Sequence, residues 1–193
     1  ASYDFPIYKS ENTLKAERDS VMKLFQPYFT EDKSIAKTQI NLLRKKFEEG
    51  GMKGMTAHAM SVLVAHLNDV YSAGVVKSEN MRTMNDSSIT AIRVISGTEA
   101  KSRKLTAVYS TRTAYEYLIN VDSTLIRPEM LASFNLNEFI EANLVYDENR
   151  STNAKRDLLE TVTSSYGLVQ RGQKIIDRGE IVNNQTYNIL VSL

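Results

Sequence analysis

The chain has 193 residues, with 24 basic and 23 acidic side chains, a formal net charge of +1 and no cysteine. A chain of this length can bury a core without a disulfide or a metal ion. The lack of cysteine excludes a disulfide scaffold, a thiolate zinc site and a cysteine nucleophile. Because the charges balance, no overall field draws the chain to nucleic acid or to an anionic membrane, and we expect no nucleic-acid partner.

The first helix is predicted between residues 10 and 29. Ser10 or Asn12 can cap its start, and apolar residues continue along one helical face as far as Phe29. Pro27 is unfavourable in the last turn, because proline lacks the N–H group that a helix uses for its hydrogen bonds. The predicted apolar face contains Val21, Leu24, Phe25, Tyr28 and Phe29.

Two further helices are predicted before residue 75. The second has apolar residues at four-three-four spacing, and Gly50-Gly51 ends it. The third begins near Thr56 and ends at Gly74, with an apolar stripe that is typical of a helix packed against a core. The apolar positions are Ala36, Ile40, Leu43 and Phe47 in the second helix, and Met60, Leu63, Val64, Leu67, Val70 and Tyr71 in the third.

The middle of the chain predicts a β hairpin. Residues 89–95 and 105–109 are rich in β-branched side chains, and we interpret the polar stretch 96–104 as a long connection between two strands. A short helix is then predicted to begin at Thr113, with Glu116 placed to complete a capping box.

Three helical elements are predicted in the next segment. Pro128 suits the first turn of a helix, and residues 136–140 form an amphipathic turn. Ser151 or Thr152 is predicted to cap a longer helix that extends through Val162.

The C-terminal segment predicts short strands followed by a helix. From residue 166 the strands are broken at Gly172 and Gly179, and Asn183 or Asn184 is predicted to cap the final helix.

Together these elements predict an α+β fold. It has a mainly helical part at about 10–74 and a mixed part at about 75–193, which contains the central hairpin and a small C-terminal β unit closed by a helix. No linker is long or polar enough to separate independent domains, so residues 1–193 are predicted to form a single domain.

The two histidines raise the possibility of a metal site. His58 and His66 fall near one face of the third predicted helix, and Asp69 follows within a turn. Histidines at a helix surface are the more common explanation of such spacing, and the sequence has no His-Glu-x-x-His motif. The alternating polar residues from Asp147 onward lack the glycine and the glutamate of a calcium loop. We predict no metal ligands in this chain.

Catalytic motifs are also missing from the sequence. It contains no Gly-x-Ser-x-Gly, no Ser-x-x-Lys, no His-Asp dipeptide and no phosphate-binding glycine loop. We therefore predict that the chain has no catalytic residues and needs no cofactor.

Several stretches in the same order resemble one protein family. They are Tyr3-Asp4-Phe5-Pro6-Ile7-Tyr8-Lys9-Ser10-Glu11, Ala16-Glu17-Arg18, Gln26-Pro27-Tyr28-Phe29, Ala142-Asn143-Leu144-Val145-Tyr146-Asp147 with Thr152 and Arg156, and Val169–Val182. They resemble the extracytoplasmic domain of the membrane-associated HD phosphohydrolases with seven transmembrane helices. The resemblance spans nearly the whole chain, and residues 77–104 match least.

The resemblance implies a bacterial parent protein with one membrane helix before this segment and seven after it. A cytoplasmic HD domain would follow and hydrolyse cyclic di-AMP at a metal centre, and none of that machinery lies in this chain. The present segment would be the periplasmic or cell-surface part, with the transmembrane helices of its own chain as partners. If both ends lead to the same bilayer, the segment near Tyr8 and the final helix around Leu190 should lie on one side of the fold.

Two functional hypotheses remain open. The first is a sensor that binds an unknown extracytoplasmic ligand or protein, with Asn143, Tyr146, Asp147 and Arg156 as candidate ligand-binding residues. The second is a structural module that dimerises the parent or docks onto an envelope protein without a small molecule. A free-standing secreted enzyme is a third possibility, against which the missing motifs argue. Asp147 and Thr152 are predicted to be structural first, through helix capping.

Overall fold

The computed structural model describes all 193 residues and separates them into two compact units. The central unit is residues 26–151, and the terminal unit combines residues 1–25 with residues 152–193. The α+β class is confirmed. The assignment of the chain to a single domain, with a mainly helical and a mixed part, stays a prediction.

Most regular elements belong to the central unit. Its strands are β2 (Tyr28–Glu31), β3 (Val75–Val76), β4 (Ala91–Ser96), β5 (Glu99–Lys104), β6 (Tyr109–Ser110) and β7 (Leu144–Tyr146). Its helices are α2 (Lys33–Glu48), α3 (Ala57–Ala73), α4 (Ser78–Asp86), α5 (Thr111–Asn120) and α6 (Pro128–Ser133), with 3₁₀ turns at Leu105–Ala107 and Leu136–Phe139.

The terminal unit contains fewer elements. They are β1 (Phe5–Tyr8), α1 (Glu11–Met22), β8 (Ser165–Val169) and α8 (Asn184–Val191). The remaining helix, α7 (Glu148–Glu160), contains the boundary between the two units in its sequence. No helix has the length and apolar character needed to cross a membrane.

Three small sheets organise the strands. The largest has the order β5-β4-β2-β7, in which β2 is parallel to β4 and the other pairs are antiparallel. A second sheet pairs β3 and β6 in parallel, and a third pairs β1 and β8 antiparallel.

The third predicted helix is confirmed as α3, and its two ends follow from local chemistry. The Thr56 hydroxyl accepts a hydrogen bond from the Ala59 N–H at 3.1 Å, which caps the start. Gly74 ends the helix at a φ of 104°, and a Cβ there would lie 2.5 Å from a methyl carbon of Leu144. Glycine is therefore required both by the backbone conformation and by the close packing against β7.

The first predicted helix is shorter than its apolar pattern indicated. Ser10 caps it as predicted, but α1 ends at Met22, and Tyr28 and Phe29 belong to strand β2. Pro27 explains the correction, because proline has no N–H to donate and disfavours helical backbone in the residue before it.

The central hairpin is confirmed, but its second strand was placed wrongly. The polar stretch 96–104 is mostly strand β5, which pairs directly with β4 across a tight turn. β5 is an edge strand with exposed side chains, so it carries no apolar signal. Residues 105–107 form a 3₁₀ turn, and Tyr109–Ser110 pairs with β3 instead.

Two predicted caps also need correction. Helix α5 is capped by Ser110, and Thr113 closes the capping box in place of Glu116. Glu116 instead pairs with Arg112 one turn away, at 2.9 Å. The glutamate lies too far along the helix, because the helix begins earlier than predicted.

Helix α7 likewise begins before its predicted caps. The Asp147 carboxylate accepts the Arg150 N–H at 3.0 Å, as a capping residue does. Ser151 is buried inside the helix, and its hydroxyl accepts the Tyr28 N–H at 2.8 Å. Thr152 is exposed in the second turn and does not cap the helix.

The C-terminal segment is simpler than predicted. Asn183 caps α8 by accepting the Thr186 N–H at 2.8 Å, as expected. Only one strand, β8, forms beyond residue 164, and no strand lies between Gly172 and Gly179.

The two ends of the chain lie together in the terminal unit. The Tyr8 N–H donates to the Ser192 hydroxyl at 2.9 Å, and the Tyr3 hydroxyl donates to the Leu193 carbonyl at 3.0 Å. The Tyr8 segment and the end of the final helix are in contact, which agrees with the prediction that they lie on one side of the fold.

Candidate functional site

The four candidate ligand-binding residues are divided between the two units. Asn143, Tyr146 and Asp147 lie in or beside β7 in the central unit. Arg156 lies on α7 in the terminal unit, where its exposed guanidinium is 3.7 Å from both Asp157 and Glu160. Their role in ligand binding stays a prediction.

Asn143 is a buried connector. Its Oδ1 accepts the Val75 N–H at 2.7 Å, and its Nδ2 donates to the Tyr71 carbonyl at 3.0 Å. Its own carbonyl accepts the Asp32 N–H at 2.8 Å. Because a buried amide needs such partners, Asn143 fixes the end of α3 and the start of β3 beside β7.

Asp147 is also occupied by protein partners. Besides accepting the Arg150 N–H, its carboxylate lies 2.6 Å from the Arg150 guanidinium. The hydrogen bond from the Arg150 backbone and then the guanidinium lower the pKa of Asp147 below its usual value. Both interactions stabilise the ionised carboxylate at the start of α7.

Tyr146 lines a cleft. Its ring is half-exposed and meets Phe29 edge to face, with 5.5 Å between the ring centroids. The cleft has a volume of about 580 Å³ and lies within the central unit. Its apolar lining is Ile35, Ile140, Ala142, Leu144, Val145 and Tyr146, and its polar lining is Lys77, Glu79, Asn80, Thr111 and Glu141.

Two helix starts form the polar side of this cleft. Strands β3 and β6 are parallel neighbours and lead directly into α4 and α5, so the two helices begin side by side. The Ser78 and Thr111 hydroxyls are 2.8 Å apart, and the Arg112 N–H donates to the Ser78 hydroxyl at 3.2 Å. The side chain before α4 is that of Lys77, which makes no capping hydrogen bond.

A buried tyrosine positions the segment before β7, which also lines the cleft. The Tyr71 hydroxyl donates to the Phe139 carbonyl at 2.8 Å and accepts the Glu141 N–H at 3.2 Å. Burial of this phenol raises the pKa of Tyr71. The Glu141 carboxylate accepts a hydrogen bond from Gln39 Nε2 at 2.8 Å, while the buried Gln39 Oε1 has no partner. These bonds fix the segment that precedes β7.

A smaller cavity adjoins the cleft. It has a volume of about 460 Å³ and shares Thr111 and Ile140 with the larger one. Tyr115 and Asn137 also line it. The start of α5 therefore borders both spaces, and together they provide apolar surface beside hydrogen-bonding groups.

Of the two histidines, His66 is bonded to groups outside its own helix. His66 Nε2 contacts the Asp122 carboxylate, and His66 Nδ1 is 3.4 Å from the Tyr117 hydroxyl. Burial, followed by the neighbouring Tyr109, raises the pKa of Tyr117. No three histidine, aspartate or glutamate side chains come together in the structure as metal ligands would.

The polar side of the cleft was not predictable from local sequence patterns. Lys77, Glu79 and Asn80 lie in the region that least resembled the family, and no motif contains them. The available signal was Val75-Val76 after the glycine that ends α3, followed by polar residues at a helix start. A strand this short is not distinguishable from a loop by its pattern.

Comparison with known proteins identifies the family. A family model described as the 7TM-HD extracellular domain matches residues 1–193. The chain belongs to this family. It is therefore an extracellular domain of a membrane protein with transmembrane helices. No curated protein and no solved structure matches the chain.

Proposed function

We propose that this 7TM-HD extracellular domain is a sensory input module that binds a small amphipathic molecule in the cleft beside Tyr146. Binding would bias the transmembrane helices of the parent and thereby its cytoplasmic HD domain. By family resemblance, that HD domain hydrolyses cyclic di-AMP. In this proposal the present chain contributes recognition and no catalytic residue.

The observation that carries the proposal is the cleft itself. Its volume of about 580 Å³ falls in the range of roughly 300–1,000 Å³ that is typical of small-molecule sites. An apolar ligand body would pack on Ile140, Val145 and Tyr146, and polar groups would bond with Asn80 and Thr111. This mixture of apolar surface and a few convergent polar groups is what small-molecule sites share.

The position of the cleft also supports a signalling role. Its lining comes from the starts of α2, α4 and α5 and from the segment that leads into β7 and α7. A ligand that binds one arrangement of these elements more tightly shifts the population toward it. The chain leaves the central unit at residues 25–26 and 151–152, and α7 contains the second connection.

A structural interaction module is the second candidate. The terminal unit favours it, because Tyr187 and Val191 expose apolar side chains there without a partner. Such surface is typical of a contact with another molecule, and it makes no use of the cleft.

A fluorescent probe can distinguish the two candidates. We suggest titrating the chain with 8-anilinonaphthalene-1-sulfonate, which has an aromatic body and one anionic group. The substitution Tyr146→Ala removes the ring on which the aromatic body of the probe would pack. It should therefore weaken probe binding about tenfold. Tyr187→Ala is the matched control, since it removes an exposed tyrosine from the terminal unit.

The ligand site and the interaction module predict different outcomes of this titration. Probe binding that is weakened by Tyr146→Ala and by Asn80→Ala, but not by Tyr187→Ala, supports the cleft as a ligand site. Probe binding that responds to Tyr187→Ala alone would overturn the cleft proposal and favour the interaction module. Circular dichroism of each variant confirms that the fold is retained.

A further inference from the structure

We propose that the terminal unit docks on the outer surface of the lipid bilayer through an apolar surface formed by Tyr8, Leu168, Ile181, Tyr187, Val191 and Leu193. This inference is independent of the ligand cleft, because it rests on the other unit of the chain. The partner is the interfacial layer of the bilayer, where lipid headgroups meet acyl chains.

The side chains of this surface are unusually exposed. Ile181 is 92% exposed, Val191 is 69% exposed and Tyr187 is 61% exposed. Tyr187 and Val191 are one turn apart and therefore share a face of α8. Helix α8 buries none of its residues, so this apolar face is exposed to solvent.

Hydrogen bonds join β1, β8 and the end of α8, and Ile181 lies in the segment that precedes α8. β1 lies between β8 and the end of α8, since Pro6 is paired with Leu168 and the Tyr8 N–H donates to Ser192. The Tyr3 hydroxyl binds the Leu193 carbonyl on the same side of β1 as α8. Scattered apolar residues on a protein surface need no explanation, but all of these except Ile181 lie on or directly after three adjoining elements.

Family membership argues for the bilayer as the occupant. The chain is the extracellular part of a membrane protein, and its two ends are bonded to each other within this unit. A domain that belongs to a protein with transmembrane helices stays close to the outer surface of the bilayer. Tyrosine is enriched where membrane meets water, because its ring is apolar and its hydroxyl stays hydrated.

The charges nearby favour apolar contact over attraction to anionic lipids. Lys9 pairs with Glu17 at 2.7 Å, and Lys174 pairs with Asp177. Paired lysines add little attraction to acidic headgroups, whereas buried apolar area drives the interfacial binding of uncharged faces. We therefore expect binding to zwitterionic lipid that is insensitive to salt.

Flotation with vesicles of phosphatidylcholine tests the proposal. The 193-residue chain should float with vesicles at millimolar lipid, equally at low and high salt. Val191→Ser and Tyr187→Ser should each lower the partition coefficient about tenfold, which corresponds to one apolar side chain removed from lipid. Leu42→Ser is the matched control, because Leu42 is an exposed apolar residue of the central unit.

Three results would overturn the proposal. The first is the absence of flotation at any lipid concentration. The second is flotation that Leu42→Ser lowers as much as Val191→Ser does. The third is a stable dimer without lipid that Val191→Ser converts to monomer, because a second copy would then be the occupant. None of these results bears on the cleft, so the proposed sensory function is tested separately.

Discussion

The central and terminal units are stabilised by different means. Every buried apolar side chain except those of Phe5 and Val169 belongs to the central unit, where two clusters of buried residues form. In the terminal unit, α1 and α8 bury no residue. Strand pairing, helix caps and the bonded chain ends connect its elements instead. Since apolar burial is the main favourable contribution to folding, the central unit should carry most of the folding free energy.

This difference bears on function. A ligand site needs walls held by packing, so that its polar groups keep their positions, and the cleft beside Tyr146 has such walls. A surface that contacts a membrane needs exposed apolar side chains, and the terminal unit has them. In our proposals, the central unit recognises a soluble molecule and the terminal unit attaches to the bilayer.

The largest expected effect concerns the central core. Leu43 is buried in the main cluster, while its neighbour Leu42 on the same helix is exposed. Leu43→Ala should lower the free energy of unfolding by about 3 kcal/mol, because it removes buried methyl groups and leaves a cavity. Leu42→Ala should change it by less than about 0.5 kcal/mol. Urea denaturation followed by circular dichroism measures both, and equal losses would contradict the assignment of the core.

The next effect concerns Asn143 and separates structure from recognition. Asn143→Ala should cost about 2 kcal/mol of stability, because the Val75 N–H and the Tyr71 carbonyl lose their buried partners. Tyr146→Ala should have a smaller effect on stability and a larger one on probe binding. Thermal unfolding measures the stability of both variants, and probe titration measures their binding. Asn143→Ala with unchanged stability and abolished probe binding would instead assign Asn143 to the ligand.

Helices α2 and α3 of the central unit were the most predictable elements, whereas α4 was not predicted from the sequence. The four-three-four spacing in α2 and the stripe of α3 reflect packing against one core, so periodicity alone identifies them. β5 was missed because an exposed edge strand needs no apolar residues. The apolar residues Tyr28 and Phe29 were attached to the wrong element, since a strand that follows a helix continues its apolar run.

The candidate site was only partly predictable. Family resemblance led to residues 143–147, and Tyr146 does line the cleft. The hydrogen bonds of Asn143 reach partners that are separated from it by 68 and 72 positions in the sequence. No local pattern contains such pairs. The polar side of the cleft depends on two short parallel strands, β3 and β6, that place two helix starts together. Long-range pairing of this kind is set by the whole fold rather than by local sequence.

The smallest expected effect concerns the start of α7. The Asp147 carboxylate accepts the Arg150 N–H and pairs with the Arg150 guanidinium, and these interactions lower its pKa. Asp147→Asn keeps a capping oxygen and removes the charge, so it should lower stability slightly at pH 7. Thr152→Ala is the control, because Thr152 is exposed and is not the cap, and it should have almost no effect.

The pH dependence of that small effect follows from the direction of the pKa shift. Because the folded protein holds the pKa of Asp147 below its usual value, the ionised carboxylate favours folding. This contribution is complete above the usual pKa of about 4 and is lost as the pH falls through the lower folded pKa. The stability difference between wild type and Asp147→Asn should therefore shrink as the pH falls below about 4. Chemical denaturation at a series of pH values measures it. A difference that stays constant from pH 7 to about pH 2 would mean that the Arg150 pair contributes nothing in solution, and Asp147 would then be free for a ligand.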